Sequence, residues 1–166
     1  MKTNIAVFFG CRSVEHEVSI ISAVQAMRAI NREKYDVTPV YVTKNGEMYT
    51  GGCLFEIENY RNLPELLKNA EPVTFVRKGD GVFMKYLNTG VFSKKKDIGI
   101  DVCFPVVHGT NCEDGTMAGY FEYLGIPYIS CDILSAAVGM DKAVFKSVLK
   151  SAGLPVLDCI TFRSRD

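Results

Sequence analysis

Asn4-Ile5-Ala6-Val7-Phe8-Phe9-Gly10 and Val102-Cys103-Phe104-Pro105-Val106-Val107-His108 are two apolar runs, each closed by a polar loop and followed by residues at helical spacing. A strand covered on both faces reads as a continuous apolar run, whereas a half-buried strand alternates. After the first run, Ile20, Ile21, Val24 and Met27 recur at helical intervals. After the second, Met117, Tyr120, Phe121 and Leu124 fall at i, i+3, i+4 and i+7, and Gly125 supplies a stop. Both stretches therefore read strand, loop, helix. Between them, Asp36 to Thr43 carries β-branched and aromatic Val37, Val40, Tyr41 and Val42 and is followed by an Asn45-Gly46 turn, which completes a βαβ unit. The expectation is an α/β fold with a mainly parallel sheet flanked by helices.

Outward from these units the pattern is weaker. Met48, Tyr49, Val73 to Val76 and Val82 to Met84 suggest short strands, and Leu63 to Lys68 a helix opened by Pro64. Ile126 to Ile129 reads as a strand, Phe145, Val148, Leu149 and Ala152 as a helix ended by Gly153, and Val156 to Phe162 as a further strand. Lys94 to Lys96 reads as a solvated turn.

The 166 residues carry 19 basic and 19 acidic side chains, with 48% hydrophobic residues. That composition suits a globular domain and lacks the basic excess of a nucleic-acid binder, so no nucleic-acid partner is expected. No apolar run reaches the roughly 18 residues of a membrane span, and the apolar start has no cleavage site, so the expected location is cytoplasmic and no membrane partner is expected. Six cysteines, Cys11, Cys53, Cys103, Cys112, Cys131 and Cys159, form no C-x-x-C pair. They are expected to be reduced, and no metal-ligand set is legible.

Two loops hold the groups capable of chemistry: Gly10 to Ser19 and His108 to Thr116. Each leaves a buried strand and opens a helix, which in an open parallel sheet places both at the carboxyl edge, where ligands bind. The chain's two histidines, His16 and His108, lie in these loops, beside Glu15, Glu17, Glu113 and Asp114. Helix-start N–H groups favour an anion and these carboxylates a cation, so a zwitterionic amino acid suits the edge. Plainer roles compete: Glu15 and Glu17 can complement a helix dipole, and His108 can be a structural histidine. Neither G-x-G-x-x-G nor G-x-x-x-x-G-K-[ST] is present, which disfavours a self-contained nucleotide site. Two further function classes remain open, a stand-alone amino-acid-binding module and a cysteine hydrolase built on Cys112 beside Glu113 and near His108.

One set of residues carries a resemblance. It comprises Gly10, Ser13, Glu15 and Glu17-Val18-Ser19, then His108-Gly109, Glu113-Asp114-Gly115-Thr116, Gly119, Glu122 and Gly125-Ile126-Pro127-Tyr128. It continues through Ser135-Ala136, Met140-Asp141-Lys142, Lys146 and Gly153-Leu154-Pro155. In order and spacing the chain resembles the N-terminal portion of D-alanine–D-alanine ligases of the ATP-grasp superfamily, across its length apart from the irregular middle.

That resemblance implies a Rossmann-like substrate domain over residues 1–134 and, from 135 to 166, the truncated beginning of an ATP-grasp central domain. It also implies ATP and Mg²⁺ as cofactors of the full-length enzyme, with the metal ligands outside this chain. The reaction would phosphorylate the carboxylate of a first D-alanine for attack by the amine of a second D-amino acid, as in peptidoglycan synthesis. The second amino acid is D-alanine, or D-serine as in vancomycin-resistance ligases. By the same resemblance Glu15 orients the ammonium of the first D-alanine and His108 lies close to that substrate. Glu113 supports the histidine, Val18 and Ser19 line the pocket at the helix start, and Lys142 reaches the ATP phosphates. A homodimer is the implied assembly, and the fragment alone is expected to be inactive. The sequence departs from the family at Cys11, Cys112 and Ser130, where glycine is usual; each adds a Cβ to backbone that a ligand or a positive φ can require.

Overall fold

The structure, a computed structural model, describes residues 2–87 and 95–162. Lys94 of the expected Lys94 to Lys96 turn lies outside the described residues. The elements in chain order are β1 (Thr3–Gly10), α1 (His16–Ala29), β2 (Tyr35–Val42), β3 (Met48–Thr50) and α2 (Leu63–Asn69). They continue as β4 (Glu71–Lys78), β5 (Gly81–Tyr86), β6 (Ile98–Ile100), β7 (Val102–Pro105), α3 (Thr116–Leu124), α4 (Ile133–Met140) and α5 (Lys142–Ser151). Two 3₁₀ turns, Gly52–Phe55 and Ile57–Arg61, connect β3 to α2.

Seven strands of the described residues form one sheet in the order β6-β5-β4-β3-β2-β1-β7. β1 pairs parallel with β2 and with β7. From β2 to β6 every pairing is antiparallel. The α/β class with a helix-flanked sheet is as expected, but the sheet is mixed rather than mainly parallel. The reason lies in the connections. β2 turns into β3 through a tight Thr43–Glu47 turn, with Gly46 at φ +89°, and β4 turns into β5 through Gly79 at φ +59°. Hairpins this short return the chain antiparallel, whereas a parallel neighbour needs a crossover such as α1.

The continuous apolar run of β1 has a direct cause in its position. Ile5, Val7 and Phe9 pack on Ile20, Ala23, Val24 and Met27 of α1. Ala6 and Phe8 face Met117, Phe121 and Leu124 of α3 on the opposite side. The Phe8 and Phe121 rings meet edge-on at 4.9 Å. With both faces covered, alternation disappears from the sequence. α3 ends as its glycine predicts: Gly125 takes φ +65°, and Arg77 donates to the carbonyls of Leu124 and Gly125 at 3.1 and 3.0 Å.

Three expected strands are altered. β7 stops at Pro105, although the Val106 N–H still donates to the Phe8 carbonyl at 2.8 Å. Ile126 to Ile129 runs beside β7 but forms a single bridge, Cys103 with Tyr128, because Pro127 has no N–H to extend a ladder. Val156 to Phe162 forms no strand; among the described residues no strand lies beside it, and Leu157, Ile160 and Phe162 are exposed. β6 and α4 were not legible. α4 is opened by Asp132, whose carboxylate accepts from the Ser135 N–H at 2.8 Å, so the expected boundary at 134/135 falls within its first turn.

Candidate substrate site

Because β1 and β7 are parallel neighbours, the loops that leave them emerge at one sheet edge and touch. The Ser13 hydroxyl donates to the His108 carbonyl at 2.6 Å, and the Asn111 side-chain amide donates to the Arg12 carbonyl at 3.0 Å. Beneath them Ser19, fully buried, donates to the Val106 carbonyl at 2.6 Å and accepts from the Gly10 N–H at 2.8 Å. One hydroxyl thus joins the ends of both strands to the first turn of α1. That placement corrects the expectation that Ser19 lines an open pocket: its hydrogen bonds are internal and its surface is covered.

Glu15 occupies the N-cap position of α1 and is exposed, yet its carboxylate makes no capping bond. Gly109, at φ +80°, passes directly beneath it: a Cβ there would lie 3.4 Å from Glu15 Oε1 and 2.6 Å from Ser13 Oγ. Among the described residues no side chain hydrogen-bonds the Glu15 carboxylate, so it stands beside the second loop with its acceptor capacity open. Glu17 differs. Its carboxylate accepts from Lys44 at 2.7 Å, and that bond holds its pKa below the usual range. Val18, half exposed, projects from the same helical turn.

In the second loop, Glu113 accepts from the Gly109 N–H at 2.7 Å through one oxygen. Its other oxygen lies 4.0 Å from His108 Nδ1, within reach of an ion pair when the ring is protonated. His108 Nε2 is 3.1 Å from the Ser22 hydroxyl of α1. The ring is therefore oriented from both sides. Asp114 is committed to the loop itself. Burial opposes its charge, but bonds from the Thr116 side chain and from the Asn111 and Thr116 N–H groups prevail and lower its pKa.

The structure thus brings Glu15, Val18, His108 and Glu113 to one edge. Lys142 is apart from them, exposed in the first turn of α5, whose N-cap Asp141 already accepts from Ala143 and Val144. No hydrogen bond or ion pair among the described residues joins Lys142 to the loops. A cavity of about 340 Å³ lies beside the second loop, between α3 and α4, with Cys112, Glu113, Ser130, Cys131, Ser135 and Met140 in its wall. Among the described residues no group of three or more His, Cys, Asp or Glu side chains is placed to hold a metal ion.

Sequence reasoning gave His16 no task. It is a buried strut: Nδ1 lies 2.6 Å from the Cys11 carbonyl and Nε2 2.9 Å from the Tyr41 hydroxyl. Ser13 and Ser22 were also missed as positioning groups; Ser22 stands one turn after Ser19, the signal that the two share a face. The cysteine-hydrolase alternative finds no dyad. Cys112 is buried with its thiol against Cys11, while His108 faces Ser22 and Glu113.

The family model described as "D-ala D-ala ligase N-terminus" matches residues 4–131. The chain belongs to this family. The D-alanine–D-alanine ligase of Thermosipho melanesiensis is 44% identical over 156 residues, covering 93% of this chain and 41% of that protein. Among solved structures, the D-alanine–D-alanine ligase from Coxiella burnetii aligns with a TM-score of 0.77 at 32% identity, covering 95% of this chain and 43% of that one. The VanG D-Ala:D-Ser ligase from Enterococcus faecalis aligns with a TM-score of 0.75 at 34% identity, covering 94% and 43%. The chain therefore spans less than half the length of the relatives it matches. No helix among the described residues is long and apolar enough to cross a membrane.

Proposed function

We propose that this chain is the N-terminal, substrate-holding part of an ATP-dependent ligase that joins two D-amino acids, and that Glu15 binds the ammonium of the first. The observation that carries the assignment is the open Glu15 carboxylate, held over Gly109 between the two loops. A carboxylate facing an ammonium makes a charge-assisted hydrogen bond, and its value here is to fix where the substrate's own carboxylate points. His108, braced by Ser22 and Glu113, would lie against the same substrate, and Val18 would supply an apolar wall. Ser19 acts as a positioning residue beneath them. ATP would transfer its γ-phosphoryl group to the substrate carboxylate with ADP leaving, and the second amine would then attack the acyl carbon and expel phosphate.

Lys142 is our candidate for contact with the ATP phosphates, in a second unit that begins with α4 and α5. The metal site would belong to residues beyond those of this chain. We also propose a cytoplasmic location, which fits six free cysteines, and pairing of the domain with a second copy as the family resemblance implies. D-serine as second substrate is retained because the VanG ligase matches this chain as closely as the Coxiella ligase does. The test uses a full-length protein carrying this chain, supplied with ATP, Mg²⁺, D-alanine and D-serine, with products identified by mass spectrometry. D-alanyl-D-alanine or D-alanyl-D-serine is the expected product. Absence of both from a folded protein that binds ATP would remove the assignment.

A further inference from the structure

Cys11 and Cys112 come one from each loop, at the positions immediately preceding Arg12 and following Asn111, whose hydrogen bond ties the loops together. Both are buried in one cluster with their thiols in contact. Each sits in strained surroundings: Cys11 has φ +70° and Asn111, next to Cys112, has φ +61°, conformations that side-chain-bearing residues rarely adopt. Cys112 also forms part of the cavity wall, whereas Cys11 does not line the cavity. The remaining cysteines lack this arrangement. Cys103 is enclosed in the core, Cys53 is half-buried on the far side of the sheet, and Cys131 and Cys159 are exposed.

We propose that Cys11 and Cys112 are a reversible oxidation site, in which a peroxide reaching the cavity converts the two thiols into a disulfide that staples the two loops. In the first step the Cys112 sulfur attacks a peroxide oxygen; the O–O bond breaks, one water leaves and Cys112 becomes a sulfenic acid. In the second, the Cys11 sulfur attacks the Cys112 sulfur, the S–O bond breaks and a second water leaves. Two thiols lose two electrons and two protons, and the peroxide gains both. A small-molecule thiol restores the pair by exchange. The division of roles agrees with the local electrostatics: the bond from Cys11 lowers the Cys112 pKa, whereas the same bond and burial raise that of Cys11. The proposal rests on loop geometry and is independent of the substrate assignment.

The experiment treats the reduced 166-residue chain with stoichiometric hydrogen peroxide, blocks remaining thiols with N-ethylmaleimide, and maps the non-reduced digest by mass spectrometry. The expected result is a loss of about 2 Da and one linked peptide pair, Cys11 with Cys112. Closing a loop of roughly 100 residues should also raise the melting temperature by about 5–15 °C, reversed by dithiothreitol. Cys112→Ser should abolish both signals, and Cys11→Ser should leave Cys112 trapped by dimedone as a sulfenic acid. The untreated and treated wild-type maps decide the matter even where a variant misfolds. Full alkylation of Cys112 after peroxide, linkage of Cys112 to Cys131, or a persistent wild-type sulfenic acid would each overturn the proposal.

Discussion

Ser19→Ala removes a single oxygen, and the structure states what that oxygen does. It accepts from the Gly10 N–H at 2.8 Å and donates to the Val106 carbonyl at 2.6 Å, at a site with no exposed surface. Alanine leaves both partners in place and satisfies neither. A buried polar group left unpaired costs about 1–3 kcal/mol, so the two together should cost about 2–5.5 kcal/mol after a few tenths are returned by the better helix propensity of alanine. For a chain of this length each kcal/mol shifts the melting temperature by about 2–4 °C, giving an expected fall of about 4–22 °C. The assay is urea unfolding followed by circular dichroism, in which the midpoint should drop while the slope stays constant. Ser147→Ala is the control: its hydroxyl only returns to the Ala143 carbonyl of an exposed helix, and its loss should stay within about 0.5 kcal/mol. A Ser19→Ala change no larger than the control, with unchanged slope, would refute the claim that this hydroxyl joins the strand ends.

Gly109→Ala should cost about 1–3 kcal/mol, since φ is +80° and the new Cβ would sit 2.6 Å from Ser13 Oγ; calorimetry reads the loss, and wild-type stability would contradict the close approach. Tyr41 is pushed up from 10.0 to about 12 by burial and then by the charge of Glu17. Because the folded state keeps this proton longer, its contribution is complete below the unfolded value and is lost as pH climbs from about 10 through about 12. Tyr41→Phe should therefore flatten the alkaline decline of the urea midpoint, and parallel declines would contradict it. The 166-residue chain alone, given ATP, Mg²⁺ and D-alanine, should release no phosphate above background; D-alanine-dependent release would relocate the chemistry into this domain.

The sequence was most informative where one physical demand dominated. β1 is covered on both faces, and β7 packs Cys103 on one side and Val102 and Phe104 on the other, so continuous apolar runs marked them; Gly125 marked the end of α3 by the same conformational need that its φ of +65° displays. The antiparallel half of the sheet was harder to read because β3 and β6 have three residues each, too few for a period to show. Val156 to Phe162 has strand-forming residues but no neighbouring strand among the described residues, and propensity without a partner did not produce a ladder. At the site, the carboxylates and His108 were visible as residue types in loops. Which carboxylate is left open was not, because that depends on Lys44 reaching Glu17 across 27 positions and on Asn111 and Thr116 occupying Asp114. His16 and Ser19 were ambiguous for the same reason: their partners Tyr41 and Val106 are distant in sequence.

The assignment turns on the charge of Glu15, and Glu15→Gln in a full-length protein tests it with the side chain's shape retained. Two quantities are measured together, the melting temperature and kcat/KM for the first D-alanine. Loss of a charge-assisted contact to the substrate ammonium should lower kcat/KM by about tenfold to a hundredfold, equivalent to about 1–3 kcal/mol, while the melting temperature stays close to that of the parent. Unaltered first-substrate kinetics in a well-folded, active protein would contradict the account and leave Glu15 as a residue that only complements the α1 dipole, at about 0.3–1 kcal/mol of stability.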